Sequence, residues 1–208
     1  MRKTVLTFMG ALLVAITAFG DVIDDWHRDQ AAIEAMLQQK RYADARKASI
    51  KLTNHMLDRM GADDDAAKLF ARTVALRAAA EDGLGNIDDT NWYRQVAKAF
   101  DPQVQLPAMT TPSPEPIAFV PMSEVTEKPE RTRKRDPIRP GSVNGVATAV
   151  VRVVLDVNGV AREPGIVSSD LPAASYAALE ALKQWRFRPA KKGGTIVAVP
   201  FTLTMTLH

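Results

Sequence analysis

Three histidines, His27, His55 and His208, are the only imidazoles in the chain, and there is no cysteine. No two of the histidines stand at metal-ligand spacing, and His55 with Asp58 spans one helical turn, the ordinary spacing of a surface pair. Neither a Gly-x-Ser-x-Gly elbow nor a glycine-rich phosphate loop occurs. The acidic groups Asp63-Asp64-Asp65 and Asp88-Asp89-Thr90 lack the glycine-centred spacing of a calcium loop and suit helix N-termini instead. This inventory points away from an enzyme, and neither a metal nor a cofactor is expected. The chemistry that remains is main-chain hydrogen bonding. Thr195, Ile196, Val197, Ala198, Val199, Phe201 and Thr202 open a stretch of alternating apolar and polar residues expected to lie at an unpaired sheet edge. Such an edge can take an extended partner as an added strand, with main-chain bonds giving affinity and alternate side chains giving selectivity.

The elements that must position this edge occupy the last part of the chain, residues 141–208. Val151, Val153, Leu155 and Val157 recur with period two opposite Arg152 and Asp156, which predicts a strand with one buried face. Asn158-Gly159 supplies a tight hairpin turn, and Val160 to Ser168 returns as the partner strand. Ser169 or Asp170 before Leu171-Pro172 marks a helix start. The helix is expected to run to about Trp185, with Ala174, Ala178, Leu182 and Trp185 as its apolar stripe. Lys192-Gly193-Gly194 turns the chain into a long final strand from Thr195. Pro164 and Pro200 confine the second and third strands to the edges, giving the order 2-1-3 with the first strand central. Trp185, Phe187, Leu182, Val153 and Leu155 are the expected core anchors. The fold class is α+β.

The runs "NGVATAVVRVVLDVNGVAREPGIVSSD", "AALEALKQWRFRPA" and "VPFTLTMTL" resemble the C-terminal domain of TonB-family proteins. Pro137-Ile138-Arg139-Pro140 is similar to the motif that leads into that domain, with Arg139 where a tyrosine is usual. The resemblance implies a periplasmic protein of the Gram-negative envelope. It also implies a protein partner, in the best-studied role a short segment of an outer-membrane receptor captured by strand addition, with energy supplied by a proton-driven inner-membrane complex.

At the other end, Arg2-Lys3 precede an uncharged run from Val5 to Phe19, and Ala18-Phe19-Gly20 offers small residues where a signal peptidase reads. Residues 1–20 are therefore expected to be an export signal cut before Asp21. The run is shorter than the roughly 20 residues that span a bilayer, and a retained inner-membrane anchor is the alternative. An anchored energy transducer and a self-associating envelope scaffold are the corresponding alternative functions. Residues 21–101 contain no proline and read as a helical domain of two hairpins. Their apolar faces are Trp26, Ile33, Met36 and Leu37, then Ala45, Ala48, Leu52 and Met56, then Leu69, Thr73, Leu76 and Ala80, then Trp92, Val96, Ala99 and Phe100. "RYADARKA" and "GLGNIDDTNWYRQVAKAFDP" resemble tetratricopeptide-type helix pairs.

Nine of the 13 prolines fall in residues 102–140, which predicts a linker between two folded domains. Extended as polyproline, it would reach on the order of 120 Å and let the sheet domain swing. Its basic run, Arg131, Arg133, Lys134 and Arg135, with Arg139 following, fits contact with an anionic envelope surface. The formal charge of +3 falls to +1 without Arg2 and Lys3, and an exported chain meets little nucleic acid, so no nucleic-acid partner is expected.

Overall fold

The computed structural model describes residues 6–61 and 64–208. Four helices come first: α1 (Leu6–Gln38), α2 (Tyr42–Leu57), α3 (Asp64–Gly83) and α4 (Ile87–Phe100). Residues 1–5 of the expected export signal lie outside the described residues, and α1 runs unbroken from Leu6 past Asp21. Among the described residues no helix is long and apolar enough to cross a membrane. Each helix buries one stripe, with Trp26 and Ile33, Ala45 and Met56, Phe70 and Val74, and Trp92 and Val96 packed together in the core. Gln30 is a buried polar exception. Its amide donates to the Thr73 hydroxyl at 2.9 Å and the Leu69 carbonyl at 2.7 Å, which meets the desolvation cost.

The rest of the chain is β1 (Glu130–Arg133), β2 (Ala147–Leu155), β3 (Ala161–Ser169), α5 (Pro172–Lys183), β4 (Arg186–Arg188), β5 (Ala190–Lys192), β6 (Thr195–Val197) and β7 (Val199–Leu207). The fold is α+β, and its main sheet is antiparallel with order β3-β2-β7. The proline-free strand is central, as proline's missing donor requires. Ala149, Val151, Val153 and Leu155 turn one face of β2 toward α5, whose Ala174, Ala178 and Leu182 are fully buried. Val157 lies beyond the end of β2 and is half exposed, because the hairpin turn has already begun there.

Gly159 sits in that turn at a φ of +72°, and an added Cβ would lie 1.8 Å from the Phe187 carbonyl oxygen. The Gly159 carbonyl in turn accepts the Phe187 N–H at 3.0 Å, so the turn is bolted to β4. Gly159→Ala is expected to lower stability by about 2 kcal/mol or more, measured by urea titration, since the residue meets both an unfavourable φ and a backbone clash.

Three further parts of the chain differ from the sequence expectation. Helix α5 stops at Lys183, two residues early, and Trp185 leads into β4, which contains Phe187. The long final strand is interrupted at Ala198: β6 pairs with β5 in a separate hairpin, turning at Gly193 and Gly194 with φ of +56° and +83°. The third concerns the proline-rich segment, expected as an extended linker, which lies along both halves of the molecule in the structure. Arg72 donates to the Gln105 carbonyl at 2.8 Å, and Arg94 donates to the carbonyls of Thr111 and Pro112 at 2.7 and 2.9 Å. The Thr110 and Thr111 N–H groups donate to the Asp82 carboxylate at 2.7 and 2.8 Å. Burial pushes the Asp82 carboxyl up, but these bonds outweigh it and hold the group below its ordinary value. An extended proline-rich backbone cannot satisfy its carbonyls internally, so they are open to partners of this kind.

The helices and the sheet share one core. The Tyr176 ring of α5 meets Phe70 of α3 edge-on at 5.1 Å, with Phe100 of α4 at 6.4 Å. Around it, Arg77 donates to the Tyr176 hydroxyl at 2.9 Å and lies 3.8 Å over the Tyr93 ring. Lys183 bridges to Asp89 at 2.6 Å and to the Tyr93 hydroxyl at 3.0 Å. Burial and the nearby Glu180 push both phenols far above their ordinary values, so they serve as neutral hydrogen-bonding groups.

Candidate functional site: an open strand edge

Strand β7 borders the main sheet and pairs only with β2 among the described residues. Which of its backbone groups point outward follows from β2. The Thr148 carbonyl accepts the Asp170 N–H at 3.0 Å on the β3 side, and the Thr148 N–H donates to the Asp170 carboxylate there at 2.7 Å. In a strand, successive residues direct their backbone groups to opposite sides. The even-numbered residues of β2 therefore face β3 and the odd-numbered ones face β7. The β2–β7 ladder is regular, with Val151 opposite Leu203 and Val153 opposite Phe201. The odd-numbered residues of β7 thus bond to β2, and Pro200, Thr202, Thr204 and Thr206 present their backbone groups outward.

Pro200 fits this register, since its position opposite Val154 asks for no N–H. It also marks one end of the usable edge. Just before it, the Ala198 carbonyl accepts the Val120 N–H at 2.9 Å, so the proline-rich segment already occupies that position.

The seven residues expected at the binding edge are thus divided. Thr195, Ile196 and Val197 form β6 and are paired with Lys192, Lys191 and Ala190. Ala198 is engaged by Val120, and Val199 is buried and pairs with Leu155. Phe201 bonds inward to β2, and of the seven only Thr202 belongs to the free border. Thr204 and Thr206 complete that border. The sequence signal for them was the threonine alternation itself, read together with the outward-facing Pro200. All three threonine side chains are exposed, on the sheet face opposite α5. The core anchors Trp185, Phe187, Leu182, Val153 and Leu155 are all buried. Trp185 is held further by its indole N–H, which donates to the Arg135 carbonyl at 2.7 Å.

Beside the border lies a groove of about 670 Å³ between the end of α4 and the outer sheet face, walled by Lys98, Phe119, Arg152, Glu163 and Pro200. The Glu163 carboxylate accepts the Ile117 N–H at 2.6 Å, which ties the proline-rich segment to this wall. Among the described residues, no group of three or more His, Cys, Asp or Glu side chains could hold a metal ion.

Residues 144–206 match the family model described as Gram-negative bacterial TonB protein C-terminal. This segment, which contains β2, β3, α5 and nearly all of β7, is similar to the TonB C-terminal domain, a family of non-catalytic protein-interaction domains of the Gram-negative envelope. The helices α1 to α4 and the proline-rich segment lie outside the match. No curated protein matches the chain.

Proposed function

We propose that this protein is a periplasmic, non-catalytic binding protein that captures an extended segment of an envelope partner, such as a receptor peptide, as a fourth strand on β7. The observation that carries this reading is the outward row of backbone groups at Thr202, Thr204 and Thr206, with no partner strand among the described residues. A guest would bond there through its main chain, and its alternate side chains would lie over the threonine face and against the covered face near Phe201 and Leu203. The TonB-type domain supports a protein-interaction role, and the blocked position at Ala198 limits the guest to the stretch beyond Pro200.

Amide chemical-shift mapping with extended receptor peptides tests the reading. The expected result is perturbation of the Thr202, Thr204 and Thr206 amides, whose N–H groups are free to donate. Perturbations confined to α1–α4 would remove the strand-addition role. Concentration-dependent dimers that shift the same three amides, with no response to any peptide, would instead establish a self-pairing scaffold.

A further inference from the structure

Strand pairing brings two separate basic stretches of the sequence onto one ribbon. In the β1–β4 pair, Glu130 stands opposite Arg188, Arg131 opposite Phe187, and Arg133 opposite Arg186. Glu130 forms an ion pair with Arg188, and Lys134 forms one with Asp136 at 2.6 Å. Arg131, Arg133, Arg135 and Arg186 form no ion pair among the described residues, and all four are exposed. Two like charges directly across a ladder are destabilising, so the Arg133–Arg186 pairing runs against the local rule for a strand pair. A rule broken at the surface without a compensating carboxylate points to a ligand of opposite charge.

The ribbon is also built to hold its shape. The Arg131 guanidinium lies 4.8 Å over the Trp185 ring, and the Trp185 indole bonds to the Arg135 carbonyl. The Thr132 hydroxyl donates to the Arg186 carbonyl at 3.1 Å, and the Arg186 side chain donates to the Lys183 and Trp185 carbonyls at 3.0 and 2.7 Å. Just beyond the basic run, the apolar Ile138 is 81% exposed. Several exposed arginines with an exposed apolar side chain a few residues on are the composition of a surface that rests on headgroups and inserts a single side chain.

We infer that the β1–β4 ribbon, with Ile138 beside it, is a docking surface for an anionic lipid bilayer. Arginine suits phosphate because its planar fork can bond two oxygens at once, and several such groups near a charged surface add their attraction. The ribbon and the β7 border are separate elements, so surface docking and strand capture do not compete for residues.

Vesicle flotation of the whole protein tests this. With equimolar phosphatidylglycerol and phosphatidylcholine the protein is expected to float, and with phosphatidylcholine alone it is expected to stay behind. Arg133→Gln with Arg186→Gln should reduce partitioning about thirty-fold. Arg133→Gln with Arg135→Gln, which removes no side-chain bond within the ribbon, should give a similar loss. Lys47→Gln with Lys51→Gln removes the same charge from the exposed side of α2 and should leave most of the binding. The inference is overturned if the unaltered protein ignores anionic vesicles, if both arginine pairs bind normally, or if the lysine pair loses as much. It is also overturned if inorganic phosphate releases the protein where chloride at equal ionic strength does not, since that marks a discrete phosphate pocket. Peptide-induced shifts at Thr202–Thr206 should persist in the arginine variants, which keeps this result separate from the strand-capture reading.

Discussion

Thr204→Pro is expected to weaken capture of an extended peptide about tenfold while moving the thermal midpoint by only a few degrees, because the N–H it deletes faces away from β2. The neighbouring change Leu203→Pro has a different expected outcome. Leu203 stands opposite Val151 in the ladder, so its N–H is one of the rungs that hold β7 to the sheet. Losing that rung and orphaning its acceptor costs about 1–3 kcal/mol, and the ring adds strain where β7 lies against β2. Roughly 5–10 °C of lost thermal midpoint follows for a chain of this size. Calorimetric titration with the peptide and thermal melts of both variants check the pair. Equal effects on folding would mean that the assignment of inward and outward residues is wrong. Unaltered peptide affinity in Thr204→Pro would remove β7 as the capturing strand.

Tyr176→Ala carries the largest expected effect on stability. The ring is 4% exposed and is wedged between Phe70 and Phe100 of the helices, and its hydroxyl is the acceptor for Arg77. Emptying such a site costs about 3–5 kcal/mol, to which the stranded guanidinium adds. Differential scanning calorimetry should show one transition in the unaltered protein. In the variant it should fall by about 10 °C or separate into two, as the helices and the sheet lose their common core. An unchanged single transition would show that the two halves do not depend on each other for stability.

The main sheet and its helix were legible because their signals are local. Period-two alternation in Ala147–Leu155, the Asn158-Gly159 turn and the absence of proline from β2 are each contained within a few residues, and together they fix the order β3-β2-β7. Strands β4, β5 and β6 were not legible. Each is three residues long, too short to show a period, and each exists through a partner elsewhere: β4 through Glu130–Arg133, β5 and β6 through each other. The same limit governs the binding edge. The alternation from Thr195 to Leu207 has a single pattern, yet its first part is withdrawn by the β5 hairpin and by Val120, a residue from the proline-rich stretch. Composition alone describes that stretch as a free spacer. Its docking rests on isolated long-range contacts, Arg94 to Thr111 and Glu163 to Ile117 among them, which have no periodic trace in the sequence.

The geometry of β7 also has a mechanical consequence. Its rungs to β2 run from Ala147–Leu207 to Leu155–Val199, perpendicular to the chain direction, and a strand added outside would be bonded in the same sense. Tension applied along the axis of such a guest would be a shearing load, shared by all its bonds at once, whereas a sideways peel would break them one after another. The grip would therefore resist a lengthwise tug far better than a lateral one, and the direction of pull would decide when it lets go.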